Sequence, residues 1–389
     1  MKKVISLVTV VVMLLAMVPA VFAAAVPVGY TAITSQAELA AIANNLSGKY
    51  ILTKNITLTE DFAPIATDPD APFEGILDGA GYTIYNLSVS VETVNTTVGG
   101  LFGYNAGTVC NLNLADATVT VDGMDPYANT YTYAGGIAAV NSGTIEGCSI
   151  SGSVCGSSTT LTAYVGGIVG ENKGTVSKCA AYATVESVGI SEAVAGGIAG
   201  WNKGTVANCF NARAVAGTAA AEDTVVRAGG IAGKNGFAGN GTISCCHNVG
   251  AVSAADGEAY VGGISGNNLK TVENSYYLST TAASQVGTSA EAVGAISEAD
   301  YKNQAKFAGF DFDTVWTIAQ YPVLQGVVVL DAAGDANGDG TVNTADVLYM
   351  MRYCNLHAGV SVSLAAGDLN GDGSVDIADV VRLMKQITV

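Results

Sequence analysis

The chain has 389 residues, of which 13% are charged, and its formal net charge is −17. Such an acidic protein is repelled by nucleic acid and by anionic membrane surfaces, which excludes both as expected partners. Glycine is abundant, with 48 residues, and the stretches between glycines are rich in Thr, Val and Ile, so the composition favours strands over helices.

The N-terminus has the pattern of a secretory signal. Lys2 and Lys3 precede an apolar run over residues 4–18, and Pro19 leads to a small-x-small site ending at Ala23. A retained membrane anchor is disfavoured because the run is short for a spanning helix. We therefore expect residues 1–24 to be a signal peptide. The mature chain would then be secreted, belong to an extracellular or cell-surface complex, and not insert in a membrane after cleavage.

Residues 25–95 are expected to form an N-terminal cap. Ser35 and Glu38 form a capping-box pattern that predicts a short helix to about Leu46. Strands are predicted over residues 49–52 and 55–58. A cap is expected because an open first coil would expose unpaired strand edges.

The region from 96 to 285 is a repeat array. Six units begin with a glycine pair and recur every 30 to 36 residues, starting at Gly99, Gly135, Gly166, Gly196, Gly229 and Gly262. Such a period is typical of a stacked solenoid whose neighbouring coils bury a common core. Six residues after each first glycine stands an asparagine, and these amides are predicted to form a hydrogen-bonded ladder: Asn105, Asn141, Asn172, Asn202, Asn235 and Asn268.

Four of the eight cysteines, Cys148, Cys179, Cys209 and Cys246, share one column of this array. We interpret them as free, buried thiols that fill the core. Disulfides between adjacent coils, such as Cys148–Cys179, remain an alternative. A zinc site is not expected, because the chain has no C-x-x-C and only two histidines.

The glycine-pair motif resembles the GLUG repeat of bacterial surface proteins. The resemblance implies a mainly β protein built on a parallel, right-handed β-helix with small α/β caps. Residues 286–330 would be the C-terminal cap, with a helix over 297–308 and Trp316 buried, although a sugar-stacking role for Trp316 stays open. His247 is expected to be structural.

Two residues before each glycine pair, three coils carry a tyrosine: Tyr133, Tyr164 and Tyr260. Strand alternation places this column outside if the small apolar column beside it faces the core. The three tyrosines are therefore a candidate ligand stripe for sugar or protein. Packing between coils is the competing interpretation.

The C-terminal region, 331–389, contains two twelve-residue loops, at 335–346 and 368–379. Each has oxygen side chains at positions 1, 3, 5, 9 and 12 and glycine at position 6, the arrangement that wraps Ca²⁺. Each loop is followed by a single helix, and the region resembles a type I dockerin, a small α-helical, EF-hand-like module that binds cohesin on a scaffold protein. The resemblance implies two Ca²⁺ ions, held by Asp335, Asn337, Asp339, the Thr341 carbonyl, Asn343 and Asp346 in one loop, and by Asp368, Asn370, Asp372, the Ser374 carbonyl, Asp376 and Asp379 in the other.

The dockerin resemblance also implies that cohesin contacts Thr344, Ala345 and Arg352 in one copy and Ile377, Ala378 and Lys385 in the other. Because Thr344 corresponds to Ile377, we expect one copy to dominate binding. A module that only stabilises the C-terminus is the alternative.

Three functions remain open. The favoured one is a secreted, non-catalytic component of a cellulosome-like complex, whose dockerin attaches it and whose β-helix adheres to carbohydrate, cell surface or protein. The second is a dockerin-bearing glycoside hydrolase or polysaccharide lyase. The carboxylates of the array are scattered, and no pair recurs at one column, which disfavours this function. The third is an inert spacer.

Overall fold

The computed structural model describes residues 26–93, 97–124, 130–236, 240–288, 294–318, 321–328, 334, 336, 342–355, 362, 367, 369 and 375–387. The predicted signal peptide, residues 1–24, lies outside this part of the chain and stays a prediction. Among the described residues, no helix combines the length and apolar character that a bilayer crossing requires.

The repeats stack into a parallel β-solenoid, which confirms the predicted fold class. Its coils contribute strands to four sheets, named here A to D, in which equivalent strands of successive coils pair in register. Sheet A consists of Thr31–Ile33, Lys49–Leu52, Ile76–Asp78, Thr108–Cys110, Thr144–Glu146, Thr175–Ser177, Thr205–Ala207, Thr242–Ser244 and Thr271–Glu273. Sheet B consists of Ile56–Thr57, Thr83–Tyr85, Ser88–Thr93, Asn113–Gly123, Ser149–Ser158, Ala180–Gly189, Phe210–Asn211, Val215–Ala219, His247–Asn248, Val252–Ala255, Tyr276–Leu278 and Ala295–Ile296.

Sheets C and D lie on either side of the glycine pair. Sheet C consists of Thr97–Gly99, Thr132–Gly135, Thr162–Gly166, Glu192–Gly196, Val225–Gly229 and Glu258–Gly262. Sheet D consists of Phe102–Asn105, Ala138–Asn141, Val169–Asn172, Ala199–Asn202, Ala232–Asn235 and Ser265–Asn268. The two sheets approach closely, because a Cβ added to Gly200 in sheet D would lie only 2.6 Å from the Val165 backbone nitrogen in sheet C. A side chain at position 200 would therefore collide with this backbone, although Ala139 occupies the equivalent position in the second repeat unit.

The predicted asparagine ladder is confirmed. The side-chain amide of each asparagine donates to the next: Asn105 to Asn141 at 2.7 Å, Asn141 to Asn172 at 2.9 Å, Asn172 to Asn202 at 2.9 Å, Asn202 to Asn235 at 2.8 Å and Asn235 to Asn268 at 2.7 Å. The branched column that follows each glycine pair is fully buried, from Leu101 to Ile264. The ladder fixes the register of the coils, and the apolar column supplies the core.

All eight cysteines are free thiols, and the four of the shared column are fully buried, as predicted for that column. Their sulfurs lie against backbone of neighbouring coils. The Cys179 backbone N–H donates to the Cys209 sulfur at 3.4 Å, and the Cys209 N–H donates to the Cys246 sulfur at 3.4 Å. The thiols therefore act as core residues that also accept weak hydrogen bonds.

The N-terminal cap contains the predicted helix, in two parts. An α-helix spans Gln36–Ala40 and continues as a 3-10 helix over Ala41–Asn44. Ser35 caps it by accepting a hydrogen bond from the Glu38 N–H at 3.3 Å. The Glu38 carboxylate also accepts hydrogen bonds from the Thr34 N–H and hydroxyl, each at 2.7 Å.

The segment after the solenoid differs from the prediction. The single helix expected over 297–308 is wrong, and two 3-10 turns, Glu298–Asp300 and Gln304–Lys306, take its place. The interruption has a local cause, because the Asn303 side chain accepts from the Ala305 N–H at 3.1 Å and starts the second turn. An antiparallel pair, Trp316–Ile318 and Pro322–Leu324, follows.

This C-terminal segment covers the outer face of sheet B. Trp316 is fully buried, as predicted, and packs with Phe210 of sheet B and Phe310. His247 is buried in the same cluster and stacks on Phe210 with ring centroids 5.0 Å apart. The segment thus hides an aromatic face of the solenoid that would otherwise be exposed.

The C-terminal module contains two α-helices, Thr344–Cys354 and Ile377–Ile387. Its small core comprises Ala336, Val347, Met350, Val362, Val380 and Leu383. Val347 and Met350 of the first helix correspond in sequence to Val380 and Leu383 of the second. The duplicated sequence therefore yields two equivalent helices that share one apolar core.

Candidate functional sites

The junction between each acidic loop and its helix is built in the same way twice. In the first copy, Asn343 caps the helix by accepting from the Ala345 N–H at 2.7 Å, and the Asp346 carboxylate accepts from the Asn343 N–H at 2.8 Å. In the second, Asp376 accepts from the Ala378 N–H at 2.7 Å, and Asp379 accepts from the Asp376 N–H at 2.9 Å. Positions 9 and 12 of each loop are thus fixed in place by the helix that follows.

Asp346 and Asp379 are both fully buried. A buried carboxylate is costly unless compensating charge or hydrogen bonds stabilise it, and Ca²⁺ supplies such charge in oxygen-rich loops. Four predicted ligands, Asn343, Asp346, Asp376 and Asp379, fit that role by position and chemistry. The remaining eight, Asp335, Asn337, Asp339, Thr341, Asp368, Asn370, Asp372 and Ser374, lie outside the described residues. Within the described part of the chain, no three metal-binding side chains of the His, Cys, Asp or Glu type come together.

All six residues predicted to contact cohesin are exposed on the two helices: Thr344, Ala345, Arg352, Ile377, Ala378 and Lys385. Four apolar residues that the sequence analysis did not assign are exposed on the same helices: Leu348, Met351, Val381 and Met384. In each helix the two residues are three positions apart and so lie on one helix face, a signal that was readable from the sequence. Each helix therefore presents apolar, small and basic side chains to solvent.

A second candidate site lies on the solenoid, where sheets C and D meet. We call it the aromatic–cationic surface and define it by Tyr131, Tyr133, Tyr164, Glu171, Lys173, Glu192, Trp201, Lys203, Arg227 and Lys234. Its members come from adjacent columns of the stack, because Tyr133, Tyr164, Val194 and Arg227 are register partners in sheet C. Glu171, Trp201 and Lys234 are register partners in sheet D.

The expectation that all three stripe tyrosines are exposed is wrong at Tyr164, whose exposed fraction is only 3%. Tyr133 stacks on Tyr164 with ring centroids 5.4 Å apart, and Tyr164 stacks on Trp201 at 5.0 Å. Packing between coils thus covers Tyr164.

Tyr260 lies one coil beyond Arg227, and the Arg227 guanidinium is 5.5 Å from the centroid of the Tyr260 ring. The most accessible aromatic ring is one that the sequence analysis did not single out, Tyr131, which is 41% exposed.

The charges of the aromatic–cationic surface are paired across coils. Glu171 forms ion pairs with Lys173, at 2.7 Å, and with Lys203, while Glu192 pairs with Lys234, at 3.0 Å, and with Arg227. Lys203 also lies over the Trp201 ring, 3.3 Å from its centroid. Burial, together with the nearby Arg227 and Lys203 cations, lowers the pKa of Lys234 to about 8. Cations are therefore in excess at this surface.

The sequence analysis missed this surface because it followed the tyrosines in one column only. The informative column stands one residue before each ladder asparagine and contains Tyr104, Val140, Glu171, Trp201, Lys234 and Asn267. Its residues differ in chemistry from coil to coil, so it gives no repeat signal. Strand alternation beside the ladder was the only available indication.

His247 has the structural position that was predicted for it. Its Nε2–H donates to the Pro322 carbonyl at 2.8 Å. Burial lowers the pKa of its imidazole to about 3, so the ring is neutral at physiological pH. A buried neutral ring held in this way stabilises the contact between sheet B and the C-terminal segment.

The fold and the C-terminal module define a class of protein, a parallel β-solenoid joined to a duplicated, EF-hand-like calcium module. Residues 333–388 match the family model described as the dockerin type I domain. This segment is therefore a type I dockerin domain, a calcium-binding module that implies a cohesin partner in a cellulosome-like assembly.

Two further comparisons concern the rest of the chain. A segment is 35% identical over 143 residues to halomucin of Haloquadratum walsbyi, a match that covers 32% of this chain and 1% of that protein. The chain thus spans about 1% of the length of this curated relative. The crystal structure of a putative immunoglobulin A1 protease from Bacteroides ovatus is similar with a TM-score of 0.58 and 20% identity, over 76% of this chain and 92% of that one. At this identity the likeness shows the solenoid fold alone.

Proposed function

We propose that the protein is a secreted component of a cellulosome-like complex. Its dockerin binds two Ca²⁺ ions and attaches it to a cohesin, and its solenoid serves as a non-catalytic surface for adhesion to carbohydrate, cell surface or protein. The observation that carries the attachment is the repeated junction geometry, in which Asp346 and Asp379 are buried while Thr344, Ala345, Arg352, Ile377, Ala378 and Lys385 are exposed.

The proposed organisation is a signal peptide at 1–24, an N-terminal cap at 25–95, a GLUG-type solenoid at 96–285, a C-terminal cap at 286–330 and a dockerin at 331–389. The predicted signal peptide supports secretion, and the calcium requirement of the dockerin fits an extracellular location.

A non-catalytic solenoid is favoured by the state of its carboxylates. Glu171 and Glu192 are the carboxylates of the aromatic–cationic surface, and each is engaged by two cations. Glycoside hydrolysis requires one carboxyl group that protonates the leaving group and a second that acts as base or nucleophile. Because each of these carboxylates is already held by two cations, neither is free to take up one of those two roles.

The test is capture of the secreted full-length protein on an immobilised panel of cohesins, with calcium and with a chelator. Captured material is then assayed for sugar release from plant polysaccharides. Calcium-dependent capture without sugar release is the expected result. Sugar release would establish the alternative, a polysaccharide-degrading enzyme, and capture that is insensitive to the chelator would contradict the calcium-dependent attachment.

The matched variants are Asp346→Ala together with Asp379→Ala, which remove the buried carboxylates of both loops, and Lys178→Gln as control. Lys178 is exposed on the solenoid and pairs with Glu146 at 3.0 Å, far in sequence from the dockerin. The double variant is expected to lose cohesin capture, and the control to retain it.

A further inference from the structure

We propose that the aromatic–cationic surface is a binding site for an acidic polysaccharide, one that carries carboxylates on successive sugar units. This deepens the proposed adhesion function and rests on it. No neutral glycan and no acidic polypeptide is expected to bind there with comparable affinity.

The distribution of charge on the molecule favours an anionic ligand at this surface. The whole chain has 16 Lys and Arg residues against 33 Asp and Glu residues. Four of those cations, Lys173, Lys203, Arg227 and Lys234, lie together on three successive coils. In a protein so acidic, this grouping gives one surface the opposite sign to the whole, and charge complementarity selects an anionic ligand.

Positive charge is in local excess at this surface. The four cations face two carboxylates, Glu171 and Glu192, and Glu258 at the margin is held by the Tyr260 hydroxyl. One or two positive charges are therefore left over, depending on whether Glu258 is included. The side chains of Lys234 and Arg227 are only 17% exposed, and charges that are partly removed from water attract a ligand anion more strongly than fully solvated ones.

The cations are spaced along the stack in a way that suits a polymer with repeated anionic groups. Lys173 and Lys203 follow the ladder residues Asn172 and Asn202, so they occupy the same position in consecutive coils. Consecutive coils are about 4.8 Å apart, and three coils span roughly 10 Å. A polymer with one carboxylate per sugar unit offers anions repeatedly along its length, and several weak contacts made at once give useful avidity.

The aromatic side chains of the surface favour a ligand that contains sugar rings. Tyr131 is tilted against Tyr133 and Tyr164, with ring centroids 6.1 and 5.8 Å away, and leaves much of its own ring in solvent. Trp201 is partly exposed. Its ring contacts Tyr164 and Lys203, and its Nε1–H donates a hydrogen bond to the Gly236 carbonyl at 3.3 Å. Rigid aromatic rings beside cations suit a ligand that has both apolar ring faces and acidic groups, as a uronic acid has.

The experiment titrates the full-length protein, in calcium and at physiological salt, with polygalacturonate. Two matched probes are fully methyl-esterified polygalacturonate, which keeps the backbone and removes the charge, and poly-glutamate, which keeps the charge and removes the sugar. Binding is measured by calorimetry or by affinity electrophoresis, and polygalacturonate is expected to bind best. Equal binding of the esterified polymer, or tighter binding of poly-glutamate, would overturn the proposal.

The residue-level test compares Lys203→Gln/Lys234→Gln with the Lys178→Gln control. The double variant is expected to bind polygalacturonate at least about tenfold more weakly, while the control stays within about twofold. Tyr131→Ala is a second probe, chosen because an exposed ring can be removed without disturbing the core, and it too is expected to weaken binding. Wild-type affinity in both the double variant and Tyr131→Ala would show that the surface is scaffold.

Cohesin capture is measured on the same preparations. The Lys203 and Lys234 substitutions leave the dockerin untouched, so capture should be unchanged while polygalacturonate binding falls. If the wild-type protein binds polygalacturonate but is not captured by cohesin, the attachment function is contradicted and the solenoid site is not. If it is captured by cohesin but does not bind polygalacturonate, the solenoid site is contradicted and the attachment function is not.

Discussion

The solenoid and the dockerin achieve order in different ways. In the solenoid, each coil pairs in register with its neighbours, and the asparagine ladder and buried Ile column repeat at every step. The dockerin has a core of only six buried apolar residues among those described. A core of that size stabilises a fold weakly, and metal binding can supply folding free energy. We therefore expect the solenoid to be stable without a ligand and the dockerin to depend on Ca²⁺.

The largest expected effect is calcium removal. A chelator should unfold the dockerin and leave the solenoid intact, because ion binding at a thousand times its dissociation constant contributes about 4 kcal/mol per site. The loss of helical circular dichroism and of cohesin binding would be compared with the β signal of the solenoid. Collapse of both signals together would contradict the separation of the two regions.

The second effect is acid sensitivity at His247. The unfolded imidazole takes up a proton near pH 6.5, whereas the folded one does so only near pH 3. Between these values the unfolded state binds more protons, so the free energy of unfolding falls as pH decreases from 6.5 towards 3. At pH 4.5 this group alone should cost about 2 to 3 kcal/mol.

The variant His247→Phe tests that prediction. It should lose the hydrogen bond to the Pro322 carbonyl and be less stable at neutral pH, while its stability should depend less on pH over this window. Urea unfolding at several pH values, followed by the fluorescence of Trp201 and Trp316, measures both. An unchanged pH dependence would mean that other groups dominate acid unfolding.

The third effect is on the ladder. Asn172→Ala removes an amide that accepts from Asn141 and donates to Asn202 and to the Thr205 carbonyl. Because the partners are buried, their loss should cost about 2 kcal/mol. Asn268→Ala, at the partly exposed end of the ladder, is the matched control and should cost less. Equal losses in urea unfolding would show that the ladder does not act through burial.

The smallest effect is expected at the exposed pair of Lys178 and Glu146. Both side chains are 45% exposed, and surface ion pairs contribute little. Lys178→Gln should change the free energy of unfolding by less than about 0.5 kcal/mol. A larger change would indicate that sheet A depends on charge as well as on register.

The sequence predicts the solenoid well because each inward column repeats. The ladder, the branched column and the cysteine column could be read directly, since asparagine recurs at one position in all six coils, Ile or Leu at a second, and cysteine at a third in four coils. The dockerin helices follow for the same reason. By contrast, the C-terminal segment occurs once, and nothing in its composition indicates that Trp316 and Phe310 lie on sheet B and not across the end of the stack.

The outward columns are harder to predict for a physical reason. Tyr164 was expected to be exposed, but its exposure depends on Trp201 in the next coil and Lys234 in the one after. These residues differ in size and charge, so no periodicity links them. Whether an outer side chain is covered is decided by three-dimensional neighbours that a column-by-column alignment does not bring together.

The buried cysteine column allows local opening of the solenoid to be followed by thiol labelling. Cys148, Cys179, Cys209 and Cys246 are fully buried in four successive coils, so a thiol reagent can reach each one only when the coils around it separate. The order in which the four react would give the sequence of fraying along the stack, coil by coil and without an introduced label. If the solenoid opens from one end, the four cysteines would be labelled one after another in chain order, from that end. If it opens as a single unit, all four would be labelled at the same rate.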